Sequence, residues 1–72
     1  MGRVMAIGER SAVEGYALAG AEVIATDDPR AVGEAWRAIG PDVDLVLLTA
    51  RAAAAVEATG EAPAHFLVAV LP

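Results

Sequence analysis

The stretch Asp44-Leu45-Val46-Leu47-Leu48 decides the fold. After its first residue it is apolar without a break, where a strand with one wet face would alternate. An uninterrupted apolar run of this length suits a parallel strand covered on both faces, which makes it the candidate central strand. Gly40-Pro41 lies before it and stops a helix, and Thr49 follows it and can cap the next one. A buried strand between two helices is the repeating unit of an α/β domain.

Toward the N-terminus, Asp27-Asp28-Pro29 is the clearest local signal. Asp28 can accept from the free amides of a helix start, and Pro29 fits the first turn with its φ already set. Val32, Ala35, Trp36 and Ile39 then fall at i, i+3, i+4 and i+7, one apolar stripe opposite Arg30, Glu34 and Arg37. Before this helix, Ala21 to Thr26 reads as the second strand. Gly20 ends a first helix over about Ala12 to Ala19, where Ser11 and Glu14 have the spacing of a capping box. Arg3 to Ile7, closed by Gly8, is the first strand.

Toward the C-terminus, a third helix runs from Ala50 to about Ala58 and ends at Gly60; its stretch Ala52 to Ala55 favours helix but offers little bulk. His65 to Leu71 is the fourth strand, and Pro72 ends the sequence. The whole chain, residues 1–72, is therefore a single β-α-β-α-β-α-β domain with no internal repeat.

Strictly alternating elements with short connections imply a parallel sheet with right-handed crossovers. The strand order we expect is 2-1-3-4. Handedness then places the first helix on one face and the other two helices on the opposite face. Beneath strands three and four, on the side of the first helix, the sequence supplies no covering element after Pro72. Half of Leu45 to Leu48 and half of Phe66 to Leu71 should point there. Burial of four such side chains is worth roughly 1.5 to 3 kcal/mol each, against about 4 to 11 kcal/mol for a domain of this length. A partner or a second copy is expected to cover this face.

Composition narrows the function. The chain is 57% hydrophobic with a mean hydropathy of +0.53, which argues against disorder. Its apolar runs fall far short of the roughly 20 residues of a membrane helix, and its N-terminus lacks the long apolar core of a secretory signal. A cytoplasmic protein is expected. The formal net charge is -5, and the five cations Arg3, Arg10, Arg30, Arg37 and Arg51 are scattered, which argues against nucleic acid. There is no cysteine to form a disulfide.

Chemistry is equally sparse. The first strand-to-helix turn, Gly8 to Gly15, has neither the GxGxxG nor the GxxxxGK[ST] pattern, and Glu9 and Glu14 would repel a phosphate. Phospho-receiver domains of the same fold need an acidic pair after strand one and an aspartate ending strand three, where this chain has Thr49. A phosphocarrier would need cysteine or histidine after strand one. His65 is the only histidine and has no second imidazole to complete a metal site. Ser11 has no evident base beside it, and Trp36 and Tyr16 read as core. We expect no enzyme activity, no cofactor and no metal.

Three segments carry a family resemblance: Val4 to Val23, Asp42 to Thr49 and Pro63 to Pro72. The most specific piece is the ordered set Ile7, Gly8, Glu9, Arg10, Val13, Gly15, Tyr16 and Gly20, an Ile-Gly-acid-Arg-x-x-Val-x-Gly-aromatic-x-x-x-Gly pattern. Together these segments resemble the F subunit of the V-type (A/V-type) rotary ATPase, or ATP synthase. The resemblance implies a flavodoxin-like (Rossmann-like) fold and a non-catalytic central-stalk component, part of the rotor. Such a component packs on the coiled-coil D subunit of the central stalk, inside the catalytic head. It helps couple ATP turnover to proton or sodium transport and is peripheral to the membrane through the complex. The resemblance also marks Asp27, Asp28 and Arg30, and Phe66, Val68 and Val70 of the last strand, as candidate contacts. Arg10 is open between a solvated loop residue and a partner contact. The family chain continues into a further helix that this sequence lacks, so the chain is either a natural short form or a truncated one; that helix would belong on the bare face. The alternative reading is a stand-alone flavodoxin-like module that binds a ligand or regulates another protein.

Overall fold

The computed structural model describes residues 2–63 and 65–72. The elements are β1 (Arg3–Gly8), α1 (Arg10–Val13) continuing as a 3-10 helix over Glu14–Ala19, β2 (Glu22–Ala25), α2 (Pro29–Arg37), β3 (Val43–Leu48), α3 (Ala50–Thr59) and β4 (Leu67–Val70). All strand pairs are parallel, and the sheet order is β2-β1-β3-β4, the order expected from the sequence.

Register fixes which face each side chain takes, because neighbours paired across a ladder share a face. Met5 pairs with Val46 and Ile7 with Leu48. These four pack with Val32 and Trp36 of α2 and Ala52 and Val56 of α3 into the main core. Their neighbours Val4, Ala6, Leu45 and Leu47 therefore face the other way, toward the α1 side. Ala6 and Val13 are fully buried outside the main cluster, a small second core between β1 and α1. The layers are thus α1 on one face and α2 with α3 on the other.

The local signals explain the best-formed elements. Asp28 caps α2 by accepting from the Arg30 amide at 3.0 Å, with Pro29 in the first turn. Thr49 caps α3 by accepting from the Ala52 amide at 3.2 Å. Gly60 closes α3 at φ 73°, a left-handed conformation in which a side chain would be strained.

Four expectations are corrected. The first helix starts two residues early, at Arg10, and Glu9 occupies the cap position without a side-chain bond, so Ser11 and Glu14 form no capping box. The segment is also not a continuous α-helix: from Glu14 it tightens to 3-10 geometry with no buried residue. Gly15 costs helix about 1 kcal/mol relative to alanine, and without an apolar stripe no packing offsets it. The second strand is trimmed at both ends. The fourth strand spans only Leu67–Val70, because the chain bends at His65 and Phe66; Ala64 lies outside the described residues. The Phe66 ring packs edge-on against Trp36, centroids 5.1 Å apart. His65 stacks edge-on against Phe66 at 5.2 Å, with Nε2 3.0 Å from the Gly40 carbonyl oxygen. The chain enters β4 through this three-ring anchor.

Candidate docking surface

The bare face inferred from handedness is present and apolar. Leu45 pairs with Leu67 and Leu47 with Ala69, all on the α1 side. Leu67 is 75% exposed, Ala69 is exposed, and Leu45, Leu47 and Leu71 are half-buried. α1 packs on β1 and β2 and leaves β3 and β4 uncovered on this side. The result is a trough two strands wide, floored by leucine. At its carboxyl end it deepens into a cavity of about 360 Å³ lined by Ala12, Tyr16, Thr49 and Leu71 among others.

The opposite side of β4 is also incompletely covered. Val68 pairs with Val46 and Val70 with Leu48, so both valines face the α2–α3 layer. They remain 37% and 55% exposed. The reason is that α3 sits over β1 and β3, and its alanines reach only a short distance sideways. A groove of about 430 Å³ remains above β4, lined by Trp36, Leu48, Ala53, Val56, Val68 and Val70. β4 is therefore open on both faces, where the sequence pointed to one.

This parity sorts the candidate contact residues. Phe66, Val68 and Val70 lie on the α2–α3 side of the sheet, away from the trough, and Phe66 is engaged with Trp36. The trough residues Leu45, Leu47, Leu67 and Ala69 are visible in sequence only once the β3–β4 register is known, since the strands read as continuous apolar runs. Arg10 is exposed at the start of α1. Asp27, Asp28 and Arg30 are exposed where β2 leads into α2, with Asp27 4.0 Å from Arg51. The sites at Arg10 and at Asp27 to Arg30 both lie at the carboxyl end of the sheet, off the trough floor.

That carboxyl end holds a second polar feature. Glu9, Thr26, Asp27 and Arg51 line the mouth of a cavity of about 410 Å³ whose remaining walls are Pro29, Val32 and alanines of α3. The Thr49 hydroxyl, then Glu9's own amide and the Arg51 guanidinium, hold the Glu9 carboxyl below its usual range. Even so, the Glu9 Oε2 atom is enclosed with no hydrogen-bond partner of standard geometry. The Thr49 side chain lies against Gly8, where any Cβ would collide with it. Ser11 is exposed and the His65 ring is bonded to Gly40, so neither joins this group; the hydroxyl and carboxyl that meet here are those of Thr49 and Glu9. Among the described residues, no group of three or more histidine, cysteine or acidic side chains could hold a metal ion, and no helix is long and apolar enough to cross a membrane.

At the amino end of the sheet, Arg3 joins strands by ion pairs, to Asp42 at 2.7 Å and to Glu22. The Arg3 contact holds the Asp42 carboxyl below its usual range, and Asp42 raises the Arg3 guanidinium in turn. No protein-family model, curated protein or solved structure matches this chain.

Proposed function

We propose that this chain is a non-catalytic docking domain whose β3–β4 trough receives an amphipathic helix of a partner. The observation that carries the reading is the leucine floor of the trough, with Leu67 75% exposed. Its dimensions suit a helix. Neighbouring strands lie about 4.8 Å apart, so a helix laid over β3 and β4 would stand about 10 Å from α1, an ordinary distance between packed helices. A flat sheet would meet α1 as an obstacle.

The resemblance to the F subunit of the V-type rotary ATPase supplies the partner: the coiled-coil D subunit of the central stalk, within the catalytic head. In this reading the chain is a central-stalk component in the cytoplasm, held at the membrane through the ATPase complex. It helps couple ATP turnover to ion transport without catalysing either. Affinity capture from the native cell with mass spectrometry tests this. Recovery of the coiled-coil stalk protein with other rotary-ATPase components supports it, and their absence overturns it.

A second reading, a stand-alone flavodoxin-like binding module, is favoured by the cavity at the carboxyl end of the sheet, where α/β folds commonly hold ligands. There Arg51 and Asp27 present both signs of charge over an alanine floor. Ligand-dependent shifts in melting temperature would favour this reading over the stalk.

A further inference from the structure

The outer edge of β4 offers a different kind of contact from the trough. Along a parallel strand, one residue points its N–H and C=O toward one neighbour and the next residue points them toward the other. Leu71 donates to the Leu48 carbonyl at 2.7 Å, so Leu67, Ala69 and Leu71 direct their backbone groups at β3. Those of Val68 and Val70 point outward, where the described residues place no further strand. Natural sheets blunt such an edge with charge, proline or a bulge. Leu67 to Val70 carries none of these. The opposite edge, β2, carries Glu22 in an ion pair with Arg3 and is flanked by the 3-10 helix.

We infer that the β4 edge pairs antiparallel with the β4 edge of a second copy of this chain, about a two-fold axis through Ala69, giving one eight-stranded sheet. The stalk reading is not required for this. An axis through Ala69 sets Val68 against Val70 of the other copy and Leu67 against its Leu71. Each side chain then stays on its own face, as pairing demands. Val68 and Val70 exchange their free N–H and C=O groups, four bonds in all. Charge permits a second copy at this place: each molecule carries a net -5, yet this strand has no charged residue, so no like charges meet directly across the pairing. The contact is self-complementary, as a two-fold interface requires. It also sets the second copy's Val68 and Val70 beside the open side of the groove lined by Trp36, Ala53 and Val56. The trough on the other face stays open.

Sedimentation of the 72-residue chain over a range of concentrations, with two variants, tests the pairing. Val68→Pro removes an outward donor, a substitution an edge strand tolerates on its free side, and leaves the β3–β4 ladder its own donors. It should weaken the dimer by roughly tenfold or more, since two copies lose two bonds of about 1 kcal/mol each. Its circular dichroism should be unchanged. Ala69→Cys places two thiols across the axis at a Cα separation of about 4.5 Å, suited to a disulfide. Diamide should convert it to a covalent dimer much faster than it converts Leu18→Cys, placed at a fully exposed site. A chain that sediments as a monomer throughout overturns the inference. So does a dimer that Val68→Pro leaves equally tight or that Ala69→Cys fails to cross-link, which would point to stacking of the two troughs. Should Val68→Pro prevent folding, the Ala69→Cys result alone decides.

Discussion

The two halves of the sheet are built from similar residues and treated differently. On one side, β1 is covered by α1 on one face and by α2 and α3 on the other, and β2 beside it packs on α1 and the 3-10 helix that continues it. Met5, Ala6 and Ile7 of β1 are buried as a result. On the other side, β3 is covered on one face and β4 fully on neither, although Leu67 to Val70 is as apolar as anything in β1. What differs is the supply of helices. Right-handed crossovers leave the α1 side of β3 and β4 empty, and the small side chains of α3 leave the other side of β4 half-filled. Hydrophobicity alone thus does not mark the core of this molecule; topology does.

Substitution can break the comparison, because equivalent truncations should cost very different amounts in the two halves. Trp36→Ala should cost most, about 3 to 5 kcal/mol, since Trp36 is buried and also anchors Phe66. Set against a total of about 4 to 11 kcal/mol, it should bring the chain close to unfolding in equilibrium urea titrations. Ile7→Ala, at a fully buried position of β1, should cost about 2 to 5 kcal/mol by the same measurement. Asp28→Ala and Thr49→Ala each remove a helix cap and should cost about 1 kcal/mol. Leu67→Gln, in the open half, should change stability by no more than about 0.5 kcal/mol. A loss like that of Ile7→Ala would mean that Leu67 is already covered.

The smallest effect concerns pH. Asp42 is held below its ordinary pKa of 3.8 by Arg3, so its ion pair supports the folded state above that value. This support is lost as pH falls through the lower folded value. Asp42→Asn should flatten the acid limb of the stability curve slightly, read by urea titration at stepped pH. Both partners are exposed, which keeps the effect small.

The sequence was most legible where local chemistry and burial agree. Asp28 with Pro29, Thr49 and Gly60 set helix limits through their own backbone or side-chain bonds, and Val32, Ala35 and Trp36 face the core as their spacing implies; α2 ends at Arg37, short of Gly40, so Ile39 packs there from beyond the helix. Strand order followed from alternation and handedness. The start of α1 was misread because Ser11 and Glu14 have cap spacing, yet the chain leaves β1 at Gly8 and turns at once at Glu9. The faces of β4 were illegible for a different reason. An uninterrupted apolar strand carries no internal sign of inside and outside, so only pairing with β3 separates Leu67 and Ala69 from Val68 and Val70. The cavity mouth of Glu9, Asp27 and Arg51 is assembled from two separate connections and the first turn of α3. The rule that α/β sheets bind ligands at their carboxyl ends was the one signal for it.

The central claim is that the β3–β4 trough is a docking surface, and one measurement tests it directly: affinity capture from the native cell with the wild-type chain and with Leu67→Glu, compared by quantitative mass spectrometry. The wild-type chain should retain the coiled-coil stalk protein, and Leu67→Glu, folded as judged by circular dichroism, should lose most of it. Equal retention by both chains, or no stalk protein with either, would contradict the account.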